Sequence, residues 1–188
     1  MKTVFFGGGC FWCIEAPILI LNGVKSVEPG YMGGHFKNPT YEIVCTGQTG
    51  HAEVVKIVYD PNLVSIVTLL EIFFSIHDPT SVNRQGADEG TQYRSIIFAE
   101  EIEFLEAKKH LVHMEKSKVS NSPIVTELVC VTQNDWCGVS DDIKKIFWPA
   151  EKYHRNYYIN NENNSYCSVV VKPKVDNVKK LFSKFIRK

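Results

Sequence analysis

Val4-Phe5-Phe6-Gly7-Gly8-Gly9-Cys10-Phe11-Trp12-Cys13-Ile14-Glu15 sets the plan of this chain. A short apolar run ends in three glycines, a thiol follows at once, and then comes a helix-compatible segment reaching Leu21. Strand, glycine turn, cysteine, helix is a layout that activates a sulfur. Glycine lets the backbone approach a ligand closely. A helix start offers unsatisfied N–H groups and partial positive charge, which favour the thiolate. Cys10 is therefore the candidate nucleophile, against the plainer reading of a buried structural cysteine, and Phe11 and Trp12 offer it an apolar wall.

Outward from this stretch, strands are expected at Val4–Phe6, Val24–Tyr31, Tyr41–Thr46, His51–Tyr59, Tyr93–Phe98 and Ile124–Thr132. The third and fourth read as a hairpin across Gly47-Gln48-Thr49-Gly50. Helices are expected over Cys10–Leu21 (with Pro17 as a disturbance), from a Ser65 cap through Ile76, over Ala99–Lys118 and over Val178–Ile186. His77–Gln92 is a polar loop of a length often reserved for function. Ile143–Tyr158 is aromatic-rich and broken by Pro149, and Asn160–Ser165 is irregular. Interleaved strands and helices imply an α+β or α/β fold, a small mixed sheet with helices on one face.

With 188 residues, 44% of them hydrophobic and 22% charged, the chain suits one domain with a substantial core. Basic and acidic residues both number 21, which gives no support for a nucleic-acid partner. No apolar run approaches the roughly 20 residues that span a bilayer. No signal-peptide core precedes the glycines, so a soluble cytoplasmic protein without a membrane partner is expected. Six cysteines, at 10, 13, 45, 130, 137 and 167, read as reduced thiols rather than a disulfide scaffold.

Cys13 completes a C-x-x-C with Cys10. A thioredoxin-like dithiol, half of a zinc site and a small packing residue are the alternatives; the spacing of Cys130 and Cys137 is poor for completing a metal site. Glu53 stands on a predicted strand among apolar residues, where half-burial would raise its pKa and make it a proton donor near neutrality, unless it is a surface or salt-bridge residue. Tyr41, Tyr93 and Asp88 lie near loop–strand junctions, where they either orient a polar ligand or serve packing. Cys167, after Tyr166 in a polar late segment, has the placement of a resolving thiol or is an incidental exposed one. Glu15 is read as serving helix electrostatics.

Taken together, these residues resemble the type A methionine sulfoxide reductase family over nearly the whole chain. The likeness rests on Gly9-Cys10-Phe11-Trp12 with Glu15, Pro39-Thr40-Tyr41, and Gly47-x-Thr49-Gly50-His51-Ala52-Glu53. It continues through Val58-Tyr59-Asp60-Pro61, His77-Asp78-Pro79-Thr80, and Asn83-Arg84-Gln85-Gly86-x-Asp88-x-Gly90-Thr91-Gln92-Tyr93-Arg94-Ser95. Phe147-Trp148-Pro149-Ala150-Glu151 with Tyr153-His154 completes it. The resemblance implies a ferredoxin-like two-layer α/β sandwich with an irregular C-terminal segment, forming one reductase domain over 1–188. It implies that methionine-S-sulfoxide, free or peptide-bound, is reduced in protein repair under oxidative stress. Cys10 would attack sulfur and become a sulfenic acid. Glu53, with Tyr41 and Tyr93, would protonate the oxygen. Phe11 and Trp12 would hold the S-methyl group, Asp88 would help position the polar end, Tyr166, paired in sequence with Cys167, would take part in substrate binding, and Cys167 would resolve the sulfenic acid to a disulfide that thioredoxin reduces. No metal or other cofactor is implied.

Two departures stand out. Cys13 occupies a position where many members have glycine, so a second thiol competes as resolver. Ser168–Lys174 stands where many members carry a glycine-rich run with a further cysteine. The competing readings are a thioredoxin-like disulfide oxidoreductase using Cys10 and Cys13, and a non-enzymatic thiol redox sensor. Neither needs a proton donor at Glu53.

Overall fold

The structure is a computed structural model that describes residues 1–118, 120 and 122–187; positions 119, 121 and 188 lie outside the described residues. Its central sheet is built from β1 (Lys2–Gly7), β2 (Val24–Met32), β3 (Ala52–Tyr59), β6 (Ile96–Ala99), β7 (Glu127–Cys130) and β8 (Trp148–Pro149). The strands lie in the order β7-β6-β1-β3-β2-β8. All neighbouring pairs are antiparallel except β6 with β7. The inner four strands form the split βαβ pattern of a ferredoxin-like sheet. Helix α1 (Trp12–Leu19) connects β1 to β2, and α3 (Ile66–Ile76) lies between β3 and β6. The expected α+β sandwich with a mixed sheet is therefore what the chain adopts.

Strand alternation divides the core. Val4, Phe6, Val55, Ile57, Ile97 and Ala99 face α1, α3 and α7 (Lys172–Leu181). Phe5, Met32, Val54, Ile96 and Phe98 face the other way and are covered by Val131 and Phe147. Glu53 lies in phase with Val55 and Ile57, so it belongs to the helix side of β3. Helix α4 (Glu101–Lys116) packs beside α3 and β7. No helix among the described residues is long and apolar enough to cross a membrane.

Three expectations fail locally. Tyr41–Cys45 is a one-turn helix, α2, not a strand, and the hairpin with β3 does not form, because β3 pairs with β1 and β2. The alternation of Tyr41, Ile43 and Cys45 suggests a strand. The first N–H of the turn, at Tyr41, is instead captured by Glu151 Oε1 at 2.9 Å, a partner far away in sequence. Tyr93 lies in a 3₁₀ turn (Thr91–Tyr93) before β6. The loop before that turn holds a miniature hairpin, β4 (Arg84–Gln85) with β5 (Asp88–Glu89). Cys167–Val171 forms a π-helical turn running into α7, which begins at Lys172, earlier than expected. Pro17 stays inside α1; its missing N–H leaves the Cys13 carbonyl without its helical donor.

Candidate active site

The glycines after β1 seat the thiol. Gly9 has φ of +92°, and a Cβ there would lie 2.6 Å from the Gln85 side chain. A Cβ on Gly7 would lie 2.8 Å from the Glu53 carbonyl oxygen. The loop is thus wedged between β3 and the β4–β5 hairpin, and the Gly9 N–H donates to the Tyr93 carbonyl at 3.1 Å. Cys10 follows, 9% exposed.

Burial pushes the Cys10 thiol well above its ordinary value, and its hydrogen bond with Cys13 and the Glu53 carboxylate add to that. The Trp12 N–H opposes the rise and loses. This reverses the thiolate expected from the helix start. A helix terminus contributes about 0.3–1 kcal/mol, which the desolvation of a fully buried thiol outweighs. The more acidic partner is Cys13, lowered to about 7 by its hydrogen bond with Cys10, with the Lys174 ammonium and the Tyr166 hydroxyl assisting against burial. Its sulfur lies 3.7 Å from Tyr166 Oη.

Glu53 is fully buried rather than half-buried, and its Oε2 accepts the Phe11 N–H at 3.0 Å. Burial raises it to about 8, with the Phe11 N–H opposing, so the carboxyl holds its proton at neutrality. Tyr41 and Tyr93 flank it. Burial, then the Glu53 charge, raises both phenols. The three groups form a protonated cluster on one side of Cys10.

Phe11 is fully buried and packs behind the site, its ring centroid 6.0 Å from Tyr31 and 4.8 Å from His154. Trp12 is the more open ring. Tyr157, from α6 (Tyr157–Asn160), stacks on Trp12 at 3.7 Å and 4°, and Tyr166 meets its edge at 6.0 Å. Glu15 does more than helix electrostatics. Buried and raised to about 7 by that burial, it accepts the Asn156 N–H at 2.8 Å and so anchors the turn that presents Tyr157.

On the other side of Cys10, Tyr166 donates to Asp88 Oδ2 at 2.8 Å. A cavity of about 130 Å³ opens there, lined by Cys10, Cys13, Gln85, Asp88, Tyr166 and Lys174. Cys167 is not exposed. It is fully buried in the π-helical turn, its thiol raised by burial and by Cys13, and it does not line this cavity. Cys130 and Cys137 are exposed and take no part in either cluster.

Sequence reading assigned no role to Glu151, His154 or Tyr157. Glu151 accepts from the Tyr41 N–H and from the Tyr31 hydroxyl, both at 2.9 Å. Burial works against its charge, but these hydrogen bonds hold it below the usual carboxylate range. His154 Nε2 lies 3.8 Å from Glu151 Oε2, and the imidazole is enclosed by the rings of Phe11, Trp12, Tyr41 and Tyr153. The signal for Glu151 was a carboxylate set in an aromatic run after Pro149-Ala150.

The chain is similar to known proteins over nearly its whole length. The family model for peptide methionine sulfoxide reductase matches residues 2–185. The chain is 42% identical over 188 residues to a Chromobacterium violaceum peptide methionine sulfoxide reductase MsrA, covering 100% of this chain and 99% of the relative. It is 49% identical over 181 residues to the Nautilia profundicola protein of the same name, covering 96% of each. The structure of methionine sulfoxide reductase A of Corynebacterium diphtheriae superposes with a TM-score of 0.77 at 32% identity, covering 87% of this chain and 76% of that one.

Proposed function

The chain belongs to the peptide methionine sulfoxide reductase family, a family of oxidoreductases, and from that premise we propose that residues 1–188 act as one unit reducing methionine-S-sulfoxide, free and peptide-bound, by thiol chemistry. The observation that carries the reading is the buried Glu53 carboxyl, held by the Phe11 N–H beside Cys10. A sulfoxide oxygen is a poor leaving group until it is protonated. Glu53 carries a proton at neutral pH, and Tyr41 and Tyr93 stand beside it as further donors. Trp12 supplies the apolar contact for the S-methyl group, with Phe11 behind it, and Asp88 with Tyr166 faces the polar end.

Cys10 sulfur attacks the sulfoxide sulfur while Glu53 protonates the oxygen. The S–O bond breaks, the released hydroxide bonds to the Cys10 sulfur as the bond between that sulfur and the substrate sulfur breaks, its electron pair leaving with the thioether, and methionine departs from a Cys10 sulfenic acid; the proton of the former thiol restores Glu53. A second thiol condenses with the sulfenic acid to give a disulfide and water. Cys13, which lines the same cavity as Cys10 three residues away, is supported as the thiol that takes this step. Cys167, the resolver implied by the resemblance, enters only if the 164–172 turn opens. Thioredoxin, in the reducing cytoplasm, then restores the thiols by exchange.

A disulfide-oxidoreductase reading is favoured by one observation, the Cys10–Cys13 pair with its acidic partner. It makes no use of Glu53, Tyr41 or Tyr93. The deciding assay offers separated R and S sulfoxides of blocked methionine, and insulin, with dithiothreitol. Turnover of the S sulfoxide that depends on Glu53 supports the reductase; insulin reduction indifferent to Glu53→Gln, with no sulfoxide turnover, rejects it.

A further inference from the structure

The cavity beside Cys10 has a charge pattern that thiol chemistry does not require. Asp88 stands on one wall, with Oδ2 taken by Tyr166 and no hydrogen bond to its other oxygen among the described residues. Lys174, in the first turn of α7, faces the same space. The nearby Lys172 pairs with Asp176, whereas Lys174 is half-buried and makes no ion pair among the described residues. Asp88 and Lys174 do not pair with each other. A cation and an anion thus stand apart across a small cavity whose wall includes the nucleophilic sulfur.

We infer that Lys174 adds a carboxylate contact to this cavity, taking the α-carboxylate of free methionine sulfoxide beside the polar-end contact at Asp88 that the family resemblance already implies. The inference rests on the sulfoxide-reductase reading and names one substrate class within it. In methionine sulfoxide a short ethylene arm separates the sulfur from the α-carbon. With sulfur at Cys10, the zwitterionic head therefore falls in the adjoining space. A volume of about 130 Å³ suits such a head. The half-buried setting of Lys174 favours a charge-assisted bond to a carboxylate over one exposed to water. A residue inside a peptide has neither charge and gains nothing from Lys174.

The test uses the full-length protein and the S sulfoxides of four compounds: L-methionine, N-acetylmethionine, methionine methylamide and N-acetylmethionine methylamide. For Lys174→Met we expect kcat/KM to fall by about tenfold, the worth of one charge-assisted hydrogen bond, for the two compounds with a free carboxylate relative to the two without. Lys174→Arg should restore most of the difference. An equal fall across all four would place Lys174 on the thiols instead and overturn the subsite, as would no fall at all. A misfolded variant is recognised by loss of the cooperative thermal melt in circular dichroism, independently of turnover. In that case protection of wild-type Cys13 from iodoacetamide decides: free L-methionine should protect better than N-acetylmethionine methylamide, and equal protection overturns the proposal. If wild type leaves all four sulfoxides untouched, the reductase reading fails by itself, and the same protection measurement still judges the subsite.

Discussion

The two sides of Cys10 are built on opposite electrostatic principles. Toward β3, Glu53, Tyr41 and Tyr93 are held in their protonated forms by burial, and the one backbone donor aimed at Glu53 does not reverse this. Toward the C-terminal helix, Asp88, Tyr166, Cys13 and Lys174 surround a small cavity, and charge and hydrogen bonds bring Cys13 down to about 7 against its burial. Burial keeps protons on one group of side chains, and charge with hydrogen bonding makes a thiol in the other ready to lose one. Within one small site, the local balance of burial against charge thus assigns an acid to one side and an ionisable thiol to the other.

The comparison breaks most completely at the shared atom. Cys10→Ser should abolish sulfoxide turnover, measured as methionine released; residual activity above a few per cent would move the nucleophile elsewhere. On the dry side, Glu53→Gln keeps the shape and the Phe11 contact but removes the proton. We expect the first step to slow by about 10²–10⁴-fold while iodoacetamide still alkylates Cys10. Wild-type rate should fall as pH rises through about 8, where Glu53 ionises, and the variant should lack that limb.

The same substitution tests burial through stability. The folded value of Glu53 is raised from 4.5 to about 8, so its favourable contribution is complete below the unfolded value and is lost as pH climbs through the folded one. Glu53→Gln should therefore gain on wild type between pH 5 and 8, by at most about 4 kcal/mol, as read by denaturant melts. A constant gap would mean that Glu53 is not desolvated.

On the charged side, Cys13→Ser should let the sulfenic acid of Cys10 persist long enough for trapping by dimedone after one equivalent of substrate. Cys167→Ser should trap far less. The opposite pattern, or a Cys10–Cys167 bond in peptide maps of the wild type, would return the resolving role to the buried thiol. The smallest effect concerns support. Glu151→Ala removes the anchor of α2 and should cost about 2 kcal/mol in stability, with a lower kcat as Tyr41 loses its place. Glu151→Gln, which still accepts the Tyr41 N–H, should recover most of both; equal losses in the two variants would make the charge rather than the anchor responsible.

Much of this was legible in the chain because the signals are local. The glycine run, the Ser65 cap of α3 and the alternation of β3 each report on their own neighbourhood, and each was read correctly. The failures share one cause, a partner distant in sequence. Tyr41–Cys45 looks like a strand until Glu151 supplies the acceptor for its first N–H. Glu15 looks like a helix-dipole residue until Asn156 arrives, and Cys167 looks exposed until α7 packs it against the core.

By itself, the order of residues determined the sheet-and-helix plan, the cysteine after the glycines that end β1 and the carboxyl on β3, because hydrophobic period, glycine and capping act within a few residues. Only the tertiary structure decided which of these groups hold protons, which thiol stands beside Cys10 and which face Lys174 meets. Burial and the sum of neighbouring charges set those properties, and neither exists until segments far apart in the chain have come together.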